Sequence, residues 1–555
     1  MRAQPPAPLE PVLLALRSPS VLYIEQRRSP GHPPFAGKAR GKGSEPAVSL
    51  RRLSAHLRLF LAVPLLLLAN CGSELGGEEI PQVSTSELQT AATEGPARNF
   101  YEGNGWQSVW SEEAAEDLRE ALEARAFHGL DRTEFLRPDP GSPADREVAL
   151  TEAALAYAAA LARGLSNPEE HYEIYTIPRP DADLVAGLSQ ALAAGNLGQW
   201  LASLPPQDSE YKAISGAYLK WREAAGQQPA ISLSGGSLIR RGDRDPRVPA
   251  IARALALHGY LPAASGEGEE QASTLYSDRI AQAVERLQQD RGMAVDGVVG
   301  PATIAALSRD AGDFARAAAV ALERRRWLSR TPAADRIDVN TAAATLEYIR
   351  GGKIVDRRRV IVGQPDWQTP QLQSSFYRLV ANPTWTVPKS IEEAELASVG
   401  PGELRRRNMV RRDGWIVQLS GPDNALGLVK FDMDNDYAIY LHDTPAKPLF
   451  SRDVRQLSHG CVRVDDALGF ASMIAGDQGI TGDWQEAQGT GEETFVKLAK
   501  PIPVRLLYHP TYLAPSGEVQ FGQDVYGWND PLARQLGFTG GARKRFVPDV
   551  EDLGP

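Results

Sequence analysis

Cysteine is scarce in this sequence, and its scarcity excludes several classes of protein. Cys71 and Cys461 are the two cysteines among 555 residues, so a disulfide-stapled scaffold and a cysteine-rich zinc or iron–sulfur site are excluded. Histidine is also rare, with eight residues. The composition is otherwise globular, with 42% hydrophobic and 23% charged residues, and the length exceeds what one hydrophobic core can hold. We therefore expect two to four domains.

Positive charge is in deficit over most of the chain. Residues 1–60 contain ten Lys and Arg against three Asp and Glu, a net charge of +7, so residues 61–555 carry −17 of the total of −10. Nucleic acid and anionic lipid both require a basic surface for binding. The acidic remainder therefore predicts no nucleic-acid partner.

The apolar stretch near the N-terminus is too short to span a membrane. It covers eleven residues, 59–69, and is interrupted by Pro64, whereas a membrane-spanning helix needs about 20 apolar residues. Three arginines precede it, which gives the layout of a secretory signal. We interpret residues 1–70 as a leader, and the Pro- and Arg-rich residues 1–47 suggest a start codon assigned too early.

The leader ends in Leu68-Ala69-Asn70-Cys71, which resembles the lipobox of bacterial lipoproteins. Asn70 departs from that pattern, which prefers a small residue before the cysteine. The resemblance implies lipid attachment at Cys71 and a membrane-anchored lipoprotein in the periplasm or cell envelope. The alternative is an ordinary signal with an unmodified Cys71. Residues 71–96, rich in Gly, Glu, Ser and Thr, predict a flexible tether.

Two helical regions follow the tether. Residues 97–232 show apolar residues at three- and four-residue spacing and predict an α-helical scaffold without an acid, base or metal cluster. Residues 244–310 contain helical segments and the run from Arg291 to Leu307, in which Asp296-Gly297 marks a turn. This run is similar to the peptidoglycan-binding module beside many wall-acting enzymes, which implies a small three-helix bundle. A spacer without wall binding is the alternative.

Residues 331–508 change to short alternating segments separated by Gly, Pro and Asn. This pattern predicts a mainly antiparallel β-sandwich or barrel-like domain. A charged, glycine-containing stretch, residues 391–435, predicts a lid-like insertion over one end of the sheet. Residues 509–555 form a C-terminal tail. The fold class expected is therefore multidomain α + β.

One window contains the chemically informative residues. Two of the eight histidines, His442 and His459, lie close in sequence to Cys461. A cysteine nucleophile needs a nearby base, since the thiolate is the reactive form, and His442 could supply it. Gly460 lets backbone amides turn inward toward an oxyanion, so acyl transfer through a thioester is the indicated reaction class.

Other interpretations of this window compete with catalysis. A cysteine beside a histidine is often a small buried apolar residue. His442, Asp443, His459 and Cys461 could nominally bind a metal, but His459 and Cys461 point the same way only in an extended segment. The His-Glu-x-x-His run of metallopeptidases is absent from the sequence. We expect neither a metal nor a cofactor.

The window resembles the signature of bacterial L,D-transpeptidases, a His followed sixteen residues later by Ser/Thr-His-Gly-Cys-x-Asn/Arg. His442 and Ser458 are sixteen positions apart, and Arg463 takes the last place of the signature. Upstream segments such as Gln368-Thr369-Pro370 and the stretch Asp524-Val-Tyr526-Gly also look like this family. Its large multidomain branch carries a helical scaffold, a peptidoglycan-binding-like module and a catalytic domain in the same order.

The resemblance implies roles for individual residues. Cys461 would be the nucleophile, His442 the proton acceptor and donor, and the Asp443 backbone carbonyl the group that orients His442. The backbone amides around His459, Gly460 and Cys461 would hold the oxyanion. The residues that the resemblance suggests as substrate contacts are Tyr440, Trp385, Ser458 and Arg463, the last as a partner of a peptide carboxylate.

The implied reaction joins two peptidoglycan tetrapeptide stems. Cys461 would attack the third residue of a donor stem, release D-alanine and pass the acyl group to an amine of an acceptor stem, forming a 3→3 cross-link. Acylation by carbapenems is expected of the family, and other wall-synthesis enzymes are candidate partners. The alternatives are an L,D-carboxypeptidase or hydrolase, a relative that attaches proteins to peptidoglycan, and a non-catalytic wall-binding lipoprotein.

Overall fold

The computed structural model describes residues 83–138, 141–227, 233–262, 273–290, 293, 295–452 and 454–539. The leader with Cys71 and the last part of the tail, 540–555, lie outside the described residues. The described chain has a helical N-terminal region and a β-rich C-terminal domain, so the α + β fold class is confirmed. No helix of the described residues is long and apolar enough to cross a membrane.

The scaffold is an assembly of helices around one core. Its helices are α1 (Thr85–Ala91), α2 (Gly95–Gly103), α3 (Glu112–Glu123), α4 (Pro143–Arg163), α5 (Leu184–Ala194), α6 (Leu197–Ser203) and α7 (Ser209–Gln227), with 3-10 turns at Ala124–His128 and Pro168–Glu170. Helix α4 is alanine-rich and buries most of its length, because small side chains let the neighbouring helices approach closely.

The tether predicted for residues 71–96 is wrong where the structure describes it. Ser84 and Glu87 form a reciprocal capping box that starts α1, and Leu88 on this helix is fully buried in the scaffold core. The Ser-x-x-Glu spacing was the available sequence signal. The scaffold therefore begins before residue 97.

Residues 244–307 form a separate small core. The helices here are α8 (Val248–Leu257), α9 (Asp278–Asp290) and α10 (Pro301–Leu307). Gln288 fixes the loop between α9 and α10, since its side chain donates to Asp296 Oδ1 at 2.8 Å and accepts from the Gly297 amide at 2.9 Å. Gly297 has a φ of +63°, which favours glycine at this turn.

The chain then returns to the scaffold. Helix α11 (Ala311–Arg326) packs along α7, and its apolar residues belong to the scaffold core. The prediction of a contiguous scaffold over 97–232 therefore missed α11. The module 244–307 is inserted between two helices of the scaffold.

The catalytic-type domain is built on one closed ring of strands. Its strands are β1 (Arg336–Asn340), β2 (Thr345–Arg350), β3 (Lys353–Gly363), β4 (Leu372–Ala381), β8 (Val429–Met433), β9 (Leu441–His442), β10 (Gln456–Ser458), β11 (Val462–Val464) and β12 (Thr494–Leu507). The order is β10-β3-β11-β9-β8-β4-β12-β1-β2, and β2 also pairs with β3, so the eight strands other than β10 close the ring and β10 is added beside β3. Most pairs are antiparallel, as predicted, and β9 with β11 is one of the parallel exceptions. Helices α14 (Ala467–Gln478) and α15 (Thr481–Gly489) pack against the same core.

The insertion has a core of its own. Its elements are β5 (Trp385–Thr386), α12 (Lys389–Ile391), a π-helical turn (Glu392–Leu396), α13 (Pro401–Arg406), β6 (Met409–Arg412) and β7 (Trp415–Gln418). The three strands form a sheet separate from the ring. The predicted bounds of 391–435 are wrong, because β5 already belongs to this unit and β8 is a strand of the ring. We call residues 385–428 the inserted segment.

The described part of the tail is ordered against the other domains. It contains β13 (Thr511–Leu513), β14 (Val519–Phe521) and α16 (Asn529–Gln535). Leu532, Leu536 and Phe538 are buried in the scaffold core. Arg324 of α11 donates to the Trp528 carbonyl at 2.9 Å, so the tail connects the scaffold to the ring of strands.

Candidate functional site

Two neighbouring strands bring His442 and Cys461 to one place. Strands β9 and β11 run parallel and pair Leu441 with Val462, and the Val462 amide donates to the Tyr440 carbonyl at 3.1 Å. Cys461 directly precedes β11, so it lies beside the strand that carries His442. His442 is fully buried and Cys461 is 4% exposed.

A backbone carbonyl orients the imidazole of His442. Its Nδ1 lies 2.5 Å from the Asp443 carbonyl oxygen, which can only accept a hydrogen bond. Nδ1 must therefore carry the proton, and in the neutral ring Nε2 is the atom able to accept one. This geometry fits the role expected for the Asp443 carbonyl.

The thiol of Cys461 is held in its neutral form. Burial raises the pKa of Cys461 to about 11, although hydrogen bonds from Tyr440 and the charges of Lys430 and Arg463 act in the opposite direction. Sγ lies 3.7 Å from the Ala438 carbonyl oxygen. At neutral pH the nucleophile therefore needs a base, since no preformed thiolate is stable there.

The turn before Cys461 is closed by its own serine. Ser458 Oγ donates to the Cys461 carbonyl at 2.6 Å and accepts from the Gly460 amide at 3.2 Å. Gly460 has a φ of +114°, a region that L-residues rarely enter. The Ser458 hydroxyl, expected to contact substrate, is thus engaged within the turn, and the Gly460 amide is already bonded rather than open to an oxyanion.

Residues outside the predicted site support this turn. Thr369 Oγ1 donates to the Gly460 carbonyl at 2.8 Å and accepts from the Gly363 amide at 2.8 Å. Tyr526 of the tail donates to the Gly363 carbonyl at 2.6 Å. Sequence reasoning noted Thr369 and Tyr526 within family-like segments but missed this support, which joins elements distant in the chain.

The carboxylate of Asp443 anchors the end of the inserted segment. Asp443 Oδ2 accepts from the Leu428 amide at 3.0 Å, and Oδ1 pairs with Lys447. Gly427 has a φ of +62°, and a Cβ there would lie 2.3 Å from Asp443 Oδ2. The residue that orients His442 therefore also fixes where the inserted segment rejoins the ring.

A second contact joins the inserted segment to the site. His459 Nε2 lies 2.6 Å from Glu395 Oε1 on the π-helical turn, and the His459 ring meets the Trp367 ring edge to face at 5.1 Å. The His459 side chain therefore faces the inserted segment, and the part of His459 expected in the oxyanion region is its backbone amide. Sequence reasoning missed Glu395, and no motif marks it.

The other expected substrate contacts differ in their surroundings. The Tyr440 ring lies 5.7 Å from the His442 ring, and Lys430 Nζ lies 4.4 Å from its centroid. Trp385 is 4% exposed within the core of the inserted segment, so little of its ring is open to a substrate. Arg463 is 1% exposed, so a substrate carboxylate would have to reach into the wall of the ring.

No group of three or more His, Cys, Asp or Glu side chains that could hold a metal occurs among the described residues.

Comparison with protein families identifies three domains. Residues 334–496 match the YkuD model, described as the L,D-transpeptidase catalytic domain. Residues 96–217 match a model described as a scaffold domain, and residues 244–307 one described as "Putative peptidoglycan binding domain". The chain thus contains these domains in the predicted order, and the resemblance to the L,D-transpeptidase family is confirmed.

Curated relatives match parts of the chain. The "Putative L,D-transpeptidase" of Haemophilus influenzae is 29% identical over 221 residues, 35% of this chain and 44% of the relative. Two N-acetylmuramoyl-L-alanine amidases, CwlL of Bacillus licheniformis and CwlM of Mycobacterium tuberculosis, are 36% and 38% identical over 14% of this chain and 20% of their own lengths. The chain therefore spans less than half the length of these relatives.

Two solved structures are also similar. An L,D-transpeptidase from Xylanimonas cellulosilytica is 18% identical, with 50% of this chain and all of that chain covered and a TM-score of 0.18. The Ldtfm–avibactam carbamoyl enzyme is 13% identical, with 32% and 49% covered and a TM-score of 0.18.

Proposed function

We propose that this chain, which carries a YkuD-type L,D-transpeptidase catalytic domain, forms 3→3 cross-links in peptidoglycan through a thioester on Cys461. The catalytic and peptidoglycan-binding domains support peptidoglycan as the substrate. The observation that carries the finer proposal is the parallel pairing of β9 with β11, which sets Cys461 beside the strand that carries His442, whose imidazole is oriented by the Asp443 carbonyl.

The first half-reaction couples attack to proton transfer. Because the pKa of Cys461 lies at about 11, its proton passes to His442 Nε2 as the sulfur–carbon bond to the donor carbonyl forms. When the tetrahedral intermediate collapses, the carbon–nitrogen bond breaks and His442 returns the proton to the departing D-alanine amine. A thioester on Cys461 remains.

The oxyanion of this intermediate needs a donor other than Gly460. The Gly460 amide is bonded to Ser458 Oγ, so we assign the oxyanion to the Cys461 amide, the next donor of the turn. Tyr440 borders the sulfur from the adjacent strand, which supports a role in seating the donor stem.

The direct test incubates the purified protein with tetrapeptide muropeptides and analyses the products by mass spectrometry. The proposal expects a 3→3 linked dimer and released D-alanine, both lost in Cys461→Ala. D-alanine and shortened stems without dimer would establish a carboxypeptidase instead, and stems joined to a protein lysine would establish protein attachment. No product from the wild type, with the muropeptides recovered unchanged, would restore the non-catalytic interpretation.

We also propose that the protein works in the cell envelope as a lipoprotein anchored through Cys71. The supporting features are the lipobox-like sequence and the envelope location normal for peptidoglycan-associated domains. The test expresses the full chain and Cys71→Ser and compares membrane fractions. Anchoring predicts that the wild type sediments with membranes and carries a lipid mass, whereas equal distributions would exclude it.

A further inference from the structure

We propose that Glu395 binds the ammonium group of the acceptor, which makes the inserted segment part of the acceptor site. The inference rests on the proposed transpeptidase function, because a transferase needs an acceptor amine and a hydrolase does not. Nothing in the sequence motif assigns a residue to the acceptor.

Glu395 lies next to the turn that carries the nucleophile. Glu395 Oε1 lies 2.6 Å from His459 Nε2, and His459 stands two residues before the nucleophile Cys461. The turn that carries Cys461 is thus in direct contact with a carboxylate of the inserted segment. A group held at Glu395 would arrive on the side of the site that the inserted segment covers.

Glu395 differs from its neighbour Glu392 in its ion pairs. Glu392, on the same turn, is paired with Lys389 at 2.7 Å and with Arg411 at 2.9 Å. Glu395 has no Lys or Arg within ion-pair distance among the described residues, and its side chain is 22% exposed. Its carboxylate therefore has no Lys or Arg partner among the described residues and stays accessible to an incoming cation, whereas that of Glu392 is already paired with two cations.

The charges that act on the Cys461 sulfur are positive, opposite in sign to the carboxylate of Glu395. Lys430 and Arg463 both act on Cys461 as positive charges, although Lys430 also pairs with Asp432 at 2.8 Å. Positive charge favours a donor carboxylate and an oxyanion and repels an ammonium. Glu395 supplies the opposite sign on the inserted-segment side, so donor and acceptor would approach through separate electrostatic environments.

The transfer step balances with these groups. The acceptor ammonium, held by the Glu395 carboxylate, releases one proton to solvent water through the exposed side of Glu395. The amine lone pair then attacks the thioester carbonyl, so a carbon–nitrogen bond forms and the carbon–sulfur bond breaks. The second amine proton passes through His442 to the leaving sulfur, which restores the Cys461 thiol.

The experiment separates the two half-reactions in the full-length protein. Acylation is followed by intact mass with a carbapenem and by D-alanine release from a tetrapeptide. Transfer is followed by the ratio of amide product to hydrolysed stem over a range of acceptor-amine concentrations. The variants are Glu395→Gln, which removes the charge, and Glu395→Asp, which retains it. Glu393→Gln is the matched control, because Glu393 is an exposed carboxylate two residues away on the same turn.

We expect Glu395→Gln to acylate within twofold of the wild type, while its KM for the acceptor amine rises about tenfold or more and products shift toward hydrolysis. A tenfold loss corresponds to about 1.4 kcal/mol, close to the lower end of the range for one hydrogen bond to a charged group. Glu395→Asp should recover part of the transfer, and Glu393→Gln should match the wild type.

Other outcomes overturn the inference in distinguishable ways. Unchanged transfer in Glu395→Gln would show that the carboxylate does not bind the acceptor. Equal loss of acylation and transfer would show that Glu395 only shapes the Cys461 turn. Absence of acylation in the wild type would remove the proposed function itself, and the acceptor site with it.

Discussion

The scaffold and the catalytic ring each bury a polar cluster, and the two clusters are built differently. In the scaffold, Glu323 and Arg326 are both fully buried and lie 2.6 Å apart. Burial opposes ionisation of Glu323, but the charge of Arg326 and hydrogen bonds from Ser166 outweigh it and lower the pKa. Arg326 also donates to the His128 carbonyl and to Tyr211. These charges are matched within the scaffold.

The cluster around Cys461 is arranged for a different purpose. Its thiol is neutral, its His442 imidazole is oriented by a carbonyl rather than a carboxylate, and Glu395 keeps an exposed fraction. Burial of polar groups alone therefore does not identify a functional site. What distinguishes the site is a reactive atom and a charge that no permanent cation neutralises.

Removing the base of the site should give the largest difference in rate between the cluster around Cys461 and the cluster of the scaffold. In His442→Gln the proton of Cys461 has no acceptor, so kcat for transfer should fall by about 10²- to 10⁴-fold. The measurement is muropeptide cross-linking with thermal unfolding as a check on folding. His128→Gln, in the scaffold cluster, is the control and should retain kcat. A loss below tenfold in His442→Gln would contradict the assignment.

The scaffold cluster should respond in stability rather than in rate. Arg326→Met leaves Glu323 buried without its counter-charge, which should lower the free energy of unfolding by about 3–5 kcal/mol. The folded fraction should keep its kcat. Denaturant unfolding of this variant is compared with Arg119→Met, whose partner pair with Glu116 is largely exposed and should cost about 1 kcal/mol or less. A loss of kcat in folded Arg326→Met would show that the scaffold cluster affects the rate as well as the stability.

The raised pKa of the Cys461 thiol can be tested by following its alkylation as a function of pH. Alkylation of Cys461 should rise with pH toward a midpoint near 11, above the ordinary thiol value of about 8.5. Because the pKa is raised in the folded state, the associated stability is fully present below the unfolded pKa and is lost as pH rises through 11. Cys461→Ala should lack this alkaline loss. A reactive midpoint at or below pH 8 would show a preformed thiolate.

The smallest effect concerns the support of the turn by the tail. Tyr526→Phe leaves the buried Gly363 carbonyl without its donor and should cost about 1–2 kcal/mol in stability, with a several-fold loss of kcat through the Thr369 contact. Tyr276→Phe is the matched control, since its hydroxyl donates to the Gly297 carbonyl in the peptidoglycan-binding module. Equal rates in both variants would show that the tail does not support the site.

Much of the fold and of the candidate site was predictable from residues that lie close together in the sequence. The spacing of His442 and Cys461 predicted a cysteine nucleophile with a histidine base. This was possible because residues close in the sequence form both the strand that carries His442 and the turn that carries Cys461. The helical pattern predicted the scaffold, and resemblance to known families predicted the peptidoglycan-binding module and the catalytic domain. The Ser84–Glu87 capping box was visible but was outweighed by the Gly- and Glu-rich composition around it.

Features that depend on distant contacts could not be read in this way. Helix α11 has the same alanine-rich pattern as any scaffold helix, and nothing in it shows that the chain has returned to the scaffold core. Trp385 resembles a cleft aromatic until the separate core of the inserted segment is seen. Glu395 is one of several glutamates there, and its contact with His459 exists only after the segment folds over the site.

The central claim, that Cys461 activated by His442 is the reactive centre, is tested most directly by intact mass after incubation with a carbapenem. The account predicts one covalent adduct on the wild type, much slower formation on His442→Gln and none on Cys461→Ala. An adduct that persists in Cys461→Ala, or a wild type that is never acylated, would contradict it.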